Sequence, residues 1–503
     1  MHPVRPLAFL GPALAVTLVA GTNNFFGIHV IDDQTGRGVP LVQLETVDHV
    51  RFLTDSGGWV AIAEPGLMGQ PIFFQVWSHG YEFPKDGFGY AGVALTPRAG
   101  GRATLRLKRV NVAERLYRLT GEGLYRDSVL LGEPTPLRRP LGAGGVVGQD
   151  SADAAVYRGK VYWVWGDTLR FRYPLGNFWS SGATSALPGS GGLDPGQGVN
   201  YQYFTNADGF CRPMCHLGVK SGLMWLDGLV SVPDQRGEPR LLAHYSHMES
   251  LAKMLDHGLA VWNDRAAQFE PLTQLPLAER WRFPHGHPTR GRGDEASYLY
   301  SGDPFLNVRV AARLDRVCAP ASYEVWTCLA PGEAGERGQV QRDGQGALRY
   351  EWRRAGPPVN AARERQLWAQ GLLKPEELRY QPLDVDTGKR VRIHGGSVFW
   401  NEYRGRWILI AVQQEGTSYL GEVYYAEAPA PTGPWPRAKK IVTHSHYTFY
   451  NPVQHPFFDQ GKGRWVYFEG TYANTFSGNP VATPRYDYNQ MMYRLDLDDP
   501  RLR

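Results

Sequence analysis

The stretch VYWVWGDT, from Val161 to Thr168, begins as a buried strand, aromatic and β-branched with no charge. It then stops at Gly166 and exposes Asp167. The same ending recurs. YLYSGDP reaches Asp303, ILIAVQQEGT reaches Glu415 and WVYFEGTY reaches Glu469. Between Val146 and Leu497 these endings fall in five similar units: VVGQDSADAAVYRGKVYWVWGDT, LMWLDGLVSVPDQRGEPRLLAHYSHME, FPHGHPTRGRGDEASYLYSGDP, RIHGGSVFWNEYRGRWILIAVQQEGT and YNPVQHPFFDQGKGRWVYFEGTY. Each opens on a short strand rich in His, Asp, Asn or Gln, turns, and runs into a strongly apolar strand. Two further strands follow in most units, clearest in GEVYYAEAPAPTGPWPRAKKIV and YNQMMYRLDL. Four antiparallel strands repeated five times predict an all-β chain whose residues 146–503 form a five-bladed β-propeller. Seven blades would require two more inside the long insertions.

The chain has 503 residues, 59 of them Gly and 37 Pro, which leaves room for a second turn-rich unit. The frame GIHVIDDQTGRGVPLVQLETVDHVRFLTDSGG, closed by ATLRLKRV, alternates short strands with turn signals. It resembles the carboxypeptidase-regulatory-like (transthyretin-like) β-sandwich, which implies a structural or binding appendage over residues 24–110. Residues 111–145 read as a linker. Ahead of them, Arg5 and the apolar run Leu7–Ala20 read as a signal peptide over residues 1–20, with an uncleaved anchor as the alternative. A secreted or periplasmic protein is expected. The net charge of +5 is scattered, with no basic stripe, so nucleic acid is not an expected partner. Cys211, Cys215, Cys318 and Cys328 form up to two local disulfides or remain buried thiols. CRPMC lacks the second pair that a zinc site needs.

In a propeller the innermost strand of each blade starts on one face, beside the axis, and the turn after the second strand returns to that face. Acids at second-strand ends then stand around a central cup. Asp150 lies at the start of the first inner strand and Asp167 above it. His287, His394, and Asn451 with His455 hold comparable places in the third, fourth and fifth units. Any one of these acids is as readily a turn residue bonding its own backbone. Their recurrence at equivalent places points to a site.

The endings YYAEAPAPTGPW and NPVQHPFFDQGKGRWVYFEGTY resemble blades of the five-bladed propeller glycoside hydrolases, the arabinanase, β-xylosidase and fructosidase clan. The resemblance implies hydrolysis of a poly- or oligosaccharide by paired carboxyl groups. In that clan an acid at the start of the first inner strand is base or nucleophile, and Asp150 matches it. We expect Glu469 to be the acid, with Asp167 and Asp303 orienting the sugar or tuning its pKa. His287, Arg392, His394, Asn451 and His455 are expected to bind substrate. Tyr472, Asn474 and Arg485 are expected to join them from the loop after Glu469, so that Tyr472→Ala costs activity and not stability. No cofactor is required. A calcium ion on the axis near His394 and a monomeric state complete the expectation. Two alternatives use the same residues. A lyase would pair a His or Tyr base with Arg392 and His394, or Tyr245 and His247, on a uronate. A binding propeller would hold a glycan without cleaving it. Asn360–Gln381 and Met248–His257 have helical patterns, and Tyr173–Phe204 reads as a loop.

Overall fold

The computed structural model describes residues 24–502, apart from 217, 219–221 and 333–338. The expected signal segment, residues 1–20, lies outside the described residues. The described chain is nearly all β, and its longest helix is Ala361–Ala369. Among the described residues no helix is long and apolar enough to cross a membrane.

Residues 26–109 form two four-stranded sheets. One has the order Trp59–Ile62, Phe26–Asp32, Arg102–Arg109, Tyr81–Glu82, and the other Arg51–Leu53, Gln43–Thr46, Ile72–Trp77, Gly92–Leu95. Strict alternation in RATLRLKR turns Leu105 and Leu107 inward and Arg106 and Lys108 outward. Their inward residues meet Ile28, Val30, Leu44, Phe74 and Val76 in one core drawn from both sheets.

A small sheet of Val146–Gln149, Thr168–Arg170 and Tyr173–Asn177 and then five larger sheets follow along the chain. The first strands of the five are Asp153–Tyr157, Leu223–Pro233, Thr289–Arg290, Ile393–Asn401 and Thr448–Gln454, and each pairs antiparallel with the strand after it. One cavity of ≈ 800 Å³ is lined by all five of these strands, through residues 153–156, 229–231, 289–290, 399–401 and 453–454. The sheets are therefore arranged around a common centre. Neighbours are stitched together near it. Leu229 N donates to Asp153 Oδ2 at 3.0 Å, and Gln454 N donates to Ser397 Oγ at 2.9 Å. Ser151 N donates to Thr471 Oγ1 at 3.0 Å, which joins the last sheet to the first.

Several expectations change. Met248–His257 is not helical. It spans the hairpin between Pro239–Ser250 and Lys253–Asn263, with His247 opposite Asp256. The stretch 173–204 is not a loop. It holds Tyr173–Asn177 and, in Ser181–Ala186 and Gln202–Tyr203, the outer strands of the first ring sheet. SGATSA is all small because it lies tightly packed, and a β-carbon at Gly182 would stand 3.0 Å from Trp163 O. The cysteines are free thiols and form no disulfide. The helix expected after Asn360 is present, with the Asn360 side chain accepting from Arg363 N at 2.9 Å.

The expected linker contains the most consequential strand. Glu114–Arg118 is buried along its whole length and pairs with Asn489–Asp496, so it completes the last sheet from the other end of the chain. The strand YNQMMYRLDL is thus flanked by a segment that precedes the central sheets. Arg115 ties this strand to the N-terminal sheets by donating to Pro40 O at 3.1 Å, His79 O at 3.2 Å and Ser78 Oγ. Leu116 is fully buried between Trp163 and Met492. Leu116→Ala should cost about 2–5 kcal/mol in urea unfolding, the usual toll of a buried Leu→Ala. A chain beginning at residue 120 exposes the bare edge of Asn489–Asp496 and should elute from size exclusion as aggregate.

Candidate functional site

Asp150 and Asp167 stand side by side where the first ring sheet meets the last. The strand Lys160–Trp165 ends, Gly166 turns, and Asp167 follows as its sequence suggested. Gly166 N donates to Asp150 O at 2.9 Å. A β-carbon on Gly166 would lie 2.2 Å from Asp150 Oδ1, so only glycine lets the two acids approach. Asp150 Oδ2 accepts from Tyr450 Oη at 2.9 Å, and the hydroxyls of Tyr488 and Ser151 also favour its charge. Burial outweighs them and pushes the Asp150 carboxyl up. Asp167 Oδ1 accepts from Trp225 Nε1 at 3.2 Å. Burial, and then the neighbouring Asp150 charge, push Asp167 up to about 6. Burial also drives Tyr450 and Tyr488 well above the ordinary phenol range, so both act as donors here.

Asp303 forms the second acidic group, two residues past the strand Tyr298–Ser301. Burial raises its carboxyl, while His285, His287 and His394 oppose the rise and Asp227 adds to it. Asp227 lies two residues after Trp225 on one strand, so both project from the same face. It is 48% exposed, and its Oδ1 lies 2.6 Å from His244 Nδ1. His287 Nδ1 is 3.7 Å from Asp153 Oδ1, and His394 is exposed.

The two groups belong to one site. Asn451 Nδ2 donates to Ser151 Oγ at 2.8 Å, next to Asp150. Asn451 Oδ1 and Asp303 Oδ1 stand 3.4 and 3.6 Å from the point where a β-carbon on Gly395 would be. Ser151, Asn451 and Tyr488 all hold left-handed φ values, 52°, 49° and 59°. Such strain gathers where side-chain placement matters more than backbone comfort.

Other expected site residues lie elsewhere. Glu469 is 0% exposed, and its Oε1 is 2.6 Å from His455 Nε2, which is itself buried against Trp163. The strand Trp465–Ala473 runs on past Glu469. Gly470 does not turn the chain. It admits the Phe449 ring, which a β-carbon there would meet at 2.5 Å. Glu469 and His455 are thus paired with each other in the interior. Tyr472 is buried at the junction with the N-terminal sheets, its hydroxyl 2.9 Å from His79 Nε2 and 3.1 Å from Thr483 Oγ1, so its loss threatens stability first. Asn474 serves a turn, bonding Asp487 and Asn479. The Arg485 carbonyl accepts from Arg118, and its guanidinium sits by Asp127 and Arg126. Arg392 is an exposed residue 3.5 Å from Glu415. For the lyase alternative, Tyr245 is buried in the core and His247 is held by Asp256 at 2.7 Å. Among the described residues no group of three or more His, Cys, Asp or Glu is placed to hold a metal ion, so the expected calcium near His394 has no such donor set.

Sequence reasoning missed Trp225, Asp227, Tyr450 and Tyr488. WLD within LMWLDGL carries a readable signal, because positions two apart share a strand face. Tyr488 carries none, since the contact spans the chain.

No family model matches the chain, and no curated protein matches it. Similar solved structures include a proposed exo-β-1,3-galactanase from Bifidobacterium bifidum, at 10% identity and TM-score 0.38, covering 77% of this chain and 94% of that one. An N-acetylgalactosamine deacetylase from F. plautii, in complex with blood group B trisaccharide, has 9% identity and TM-score 0.37, with 76% and 96% covered. A thermostable family-43 glycoside hydrolase has 13% identity and TM-score 0.34, with 70% and 90% covered. At these scores the chemistry of the site rests on its own residues.

The Asp167 shift has a sign that stability measurements can read. Its folded pKa of about 6 lies above its ordinary 3.8, so its share of stability is present below 3.8 and is lost as pH rises through 6. Asp167→Asn removes that loss. The variant should be more stable than the parent above pH 6, by about 1 kcal/mol once partial exposure is discounted, and no more stable below pH 4. Urea unfolding at the two pH values checks this.

Proposed function

We propose that the five central sheets are the blades of a β-propeller, that residues 24–110 form an appended β-sandwich, and that the cup is the active site of a glycoside hydrolase acting on a poly- or oligosaccharide. Residues 1–20 are read as its export signal. One observation carries the catalytic reading: Asp150 and Asp167 stand side by side, and burial and the Asp150 charge hold Asp167 as an acid up to about pH 6. Glycosidic cleavage requires one protonated and one ionised carboxyl group on either side of the bond.

The roles follow from what each side chain touches. Burial, and then the charge on Asp150 that the Tyr450 and Tyr488 hydroxyls favour, keep a proton on Asp167. Asp167 gives that proton to the glycosidic oxygen as the C–O bond breaks. Asp227 is half exposed and braced by His244, and it is the carboxylate that takes a proton from the attacking water or itself meets the sugar carbon. Asp303, Asn451 and His394 bind hydroxyls. For a lyase, burial pushes the Tyr245 phenol up to about 12, and Arg392 faces Glu415.

Asp167→Asn should lower reducing-sugar release by about 100-fold or more on whichever glycan in a plant, algal and bacterial panel the parent cleaves, as expected when a general acid is removed. Parent activity should fall as pH rises through about 6, where Asp167 deprotonates. Full activity in the variant would refute the assignment. Gly166→Ala, which displaces Asp150 Oδ1, should also suppress turnover while far-ultraviolet circular dichroism stays that of the parent.

A further inference from the structure

A hydrogen-bonded chain crosses the second central sheet from the cup to its outer edge. Asp227, on the inner strand Leu223–Pro233, stands directly opposite His244 on Pro239–Ser250. Their contact, Oδ1 to Nδ1, is 2.6 Å. His244 Nε2 lies 3.0 Å from Nδ1 of His257, on Lys253–Asn263. His257 Nε2 lies 2.9 Å from Pro276 O, just past the outer strand Gln268–Leu275. The histidine rings are 4% and 1% exposed, and Phe283 stacks on His244 at 4.1 Å.

The end of this chain fixes its protons. A carbonyl oxygen only accepts, so His257 Nε2 carries hydrogen. A neutral His257 then accepts at Nδ1, and His244 must donate from Nε2. If His244 were also neutral, its Nδ1 lone pair would face a carboxylate oxygen at 2.6 Å, acceptor against acceptor. One more proton has to be present. Moving it to His257 changes its address and not the count.

We propose that the Asp227–His244–His257 chain stores a single proton, carried as an imidazolium at His244, and that His244 is a positioning residue that keeps Asp227 ionised with its free oxygen turned into the cup. The catalytic part rests on the glycoside hydrolase reading, and the proton store does not. Other charges facing the chain are His285 beside His244, Asp303 and His285 beside Asp227, and Glu279 and Arg280 beside His257. Asp303 is the group whose repulsion the imidazolium offsets.

The test is nitrogen-15 NMR of histidine-labelled full-length protein at neutral pH, with the His244 signals assigned by their absence in His244→Phe. Both ring nitrogens of His244 should be protonated in the parent. In Asp227→Asn the amide can donate to a neutral Nδ1, so His244 should lose one proton while the thermal melt remains cooperative. A singly protonated His244 in the parent, or an unchanged His244 in Asp227→Asn, would overturn the proposal. On a cleaved glycan, His244→Phe should reduce kcat by about 100-fold, the cost of a misplaced catalytic group, with KM little changed. His257→Gln by itself, which retains an amide acceptor and donor, should lose less. Doubly protonated His244 in a protein that cleaves no glycan would uphold the proton store and remove the hydrolase reading.

Discussion

The pairing of Glu114–Arg118 with Asn489–Asp496 is the constraint on which the rest depends. It joins a segment that precedes the central sheets to the last strand that follows them. Each sheet around the cavity leans on its neighbours, so the arrangement is only as firm as its seam. At this seam backbone bonds, the buried Leu116, and Arg115 reaching into the N-terminal sheets act together. The same junction holds the Tyr472 hydroxyl against His79 and the Tyr486 hydroxyl against Thr54 O at 2.6 Å. The N-terminal unit is thus packed where the two chain ends meet.

The cup is set by that seam. Asp150 follows the strand Val146–Gln149 and stands beside the first central sheet, and Tyr450, Asn451 and Tyr488 belong to the stretch around the last one. The hydroxyls that bond Asp150 therefore reach it only once the last sheet has formed. Left-handed φ at Ser151, Asn451 and Tyr488 is tolerated because bonds on both sides of the seam hold those residues in place.

Much of this was legible in single segments. Each quoted unit holds the first two strands of one central sheet, since alternation and apolar runs are local signals. The GD endings at Asp167 and Asp303 were rightly read as turns that present an acid. The EGT at Glu469 looked alike and was different, because Gly470 admits Phe449, and no short window shows which ring packs over a glycine. SGATSA read as loop because strands of small residues owe their place to a large neighbour, here Met214. Tyr450 meets Asp150 across 300 positions of sequence, beyond any pattern of spacing. Glu114–Arg118 was taken for linker because its alternation is too short to stand out without its partner.

The seam also sets an order in time. Residues 114–118 leave the ribosome long before residues 489–496, their partners. Until those emerge the early strand has no partner, and the apolar faces of the sheets already made stand open. A contact of such long sequence separation slows folding and prolongs the exposure of unpaired edges. A nascent chain must therefore be carried through all five central sheets before the Tyr450 and Tyr488 hydroxyls can reach Asp150.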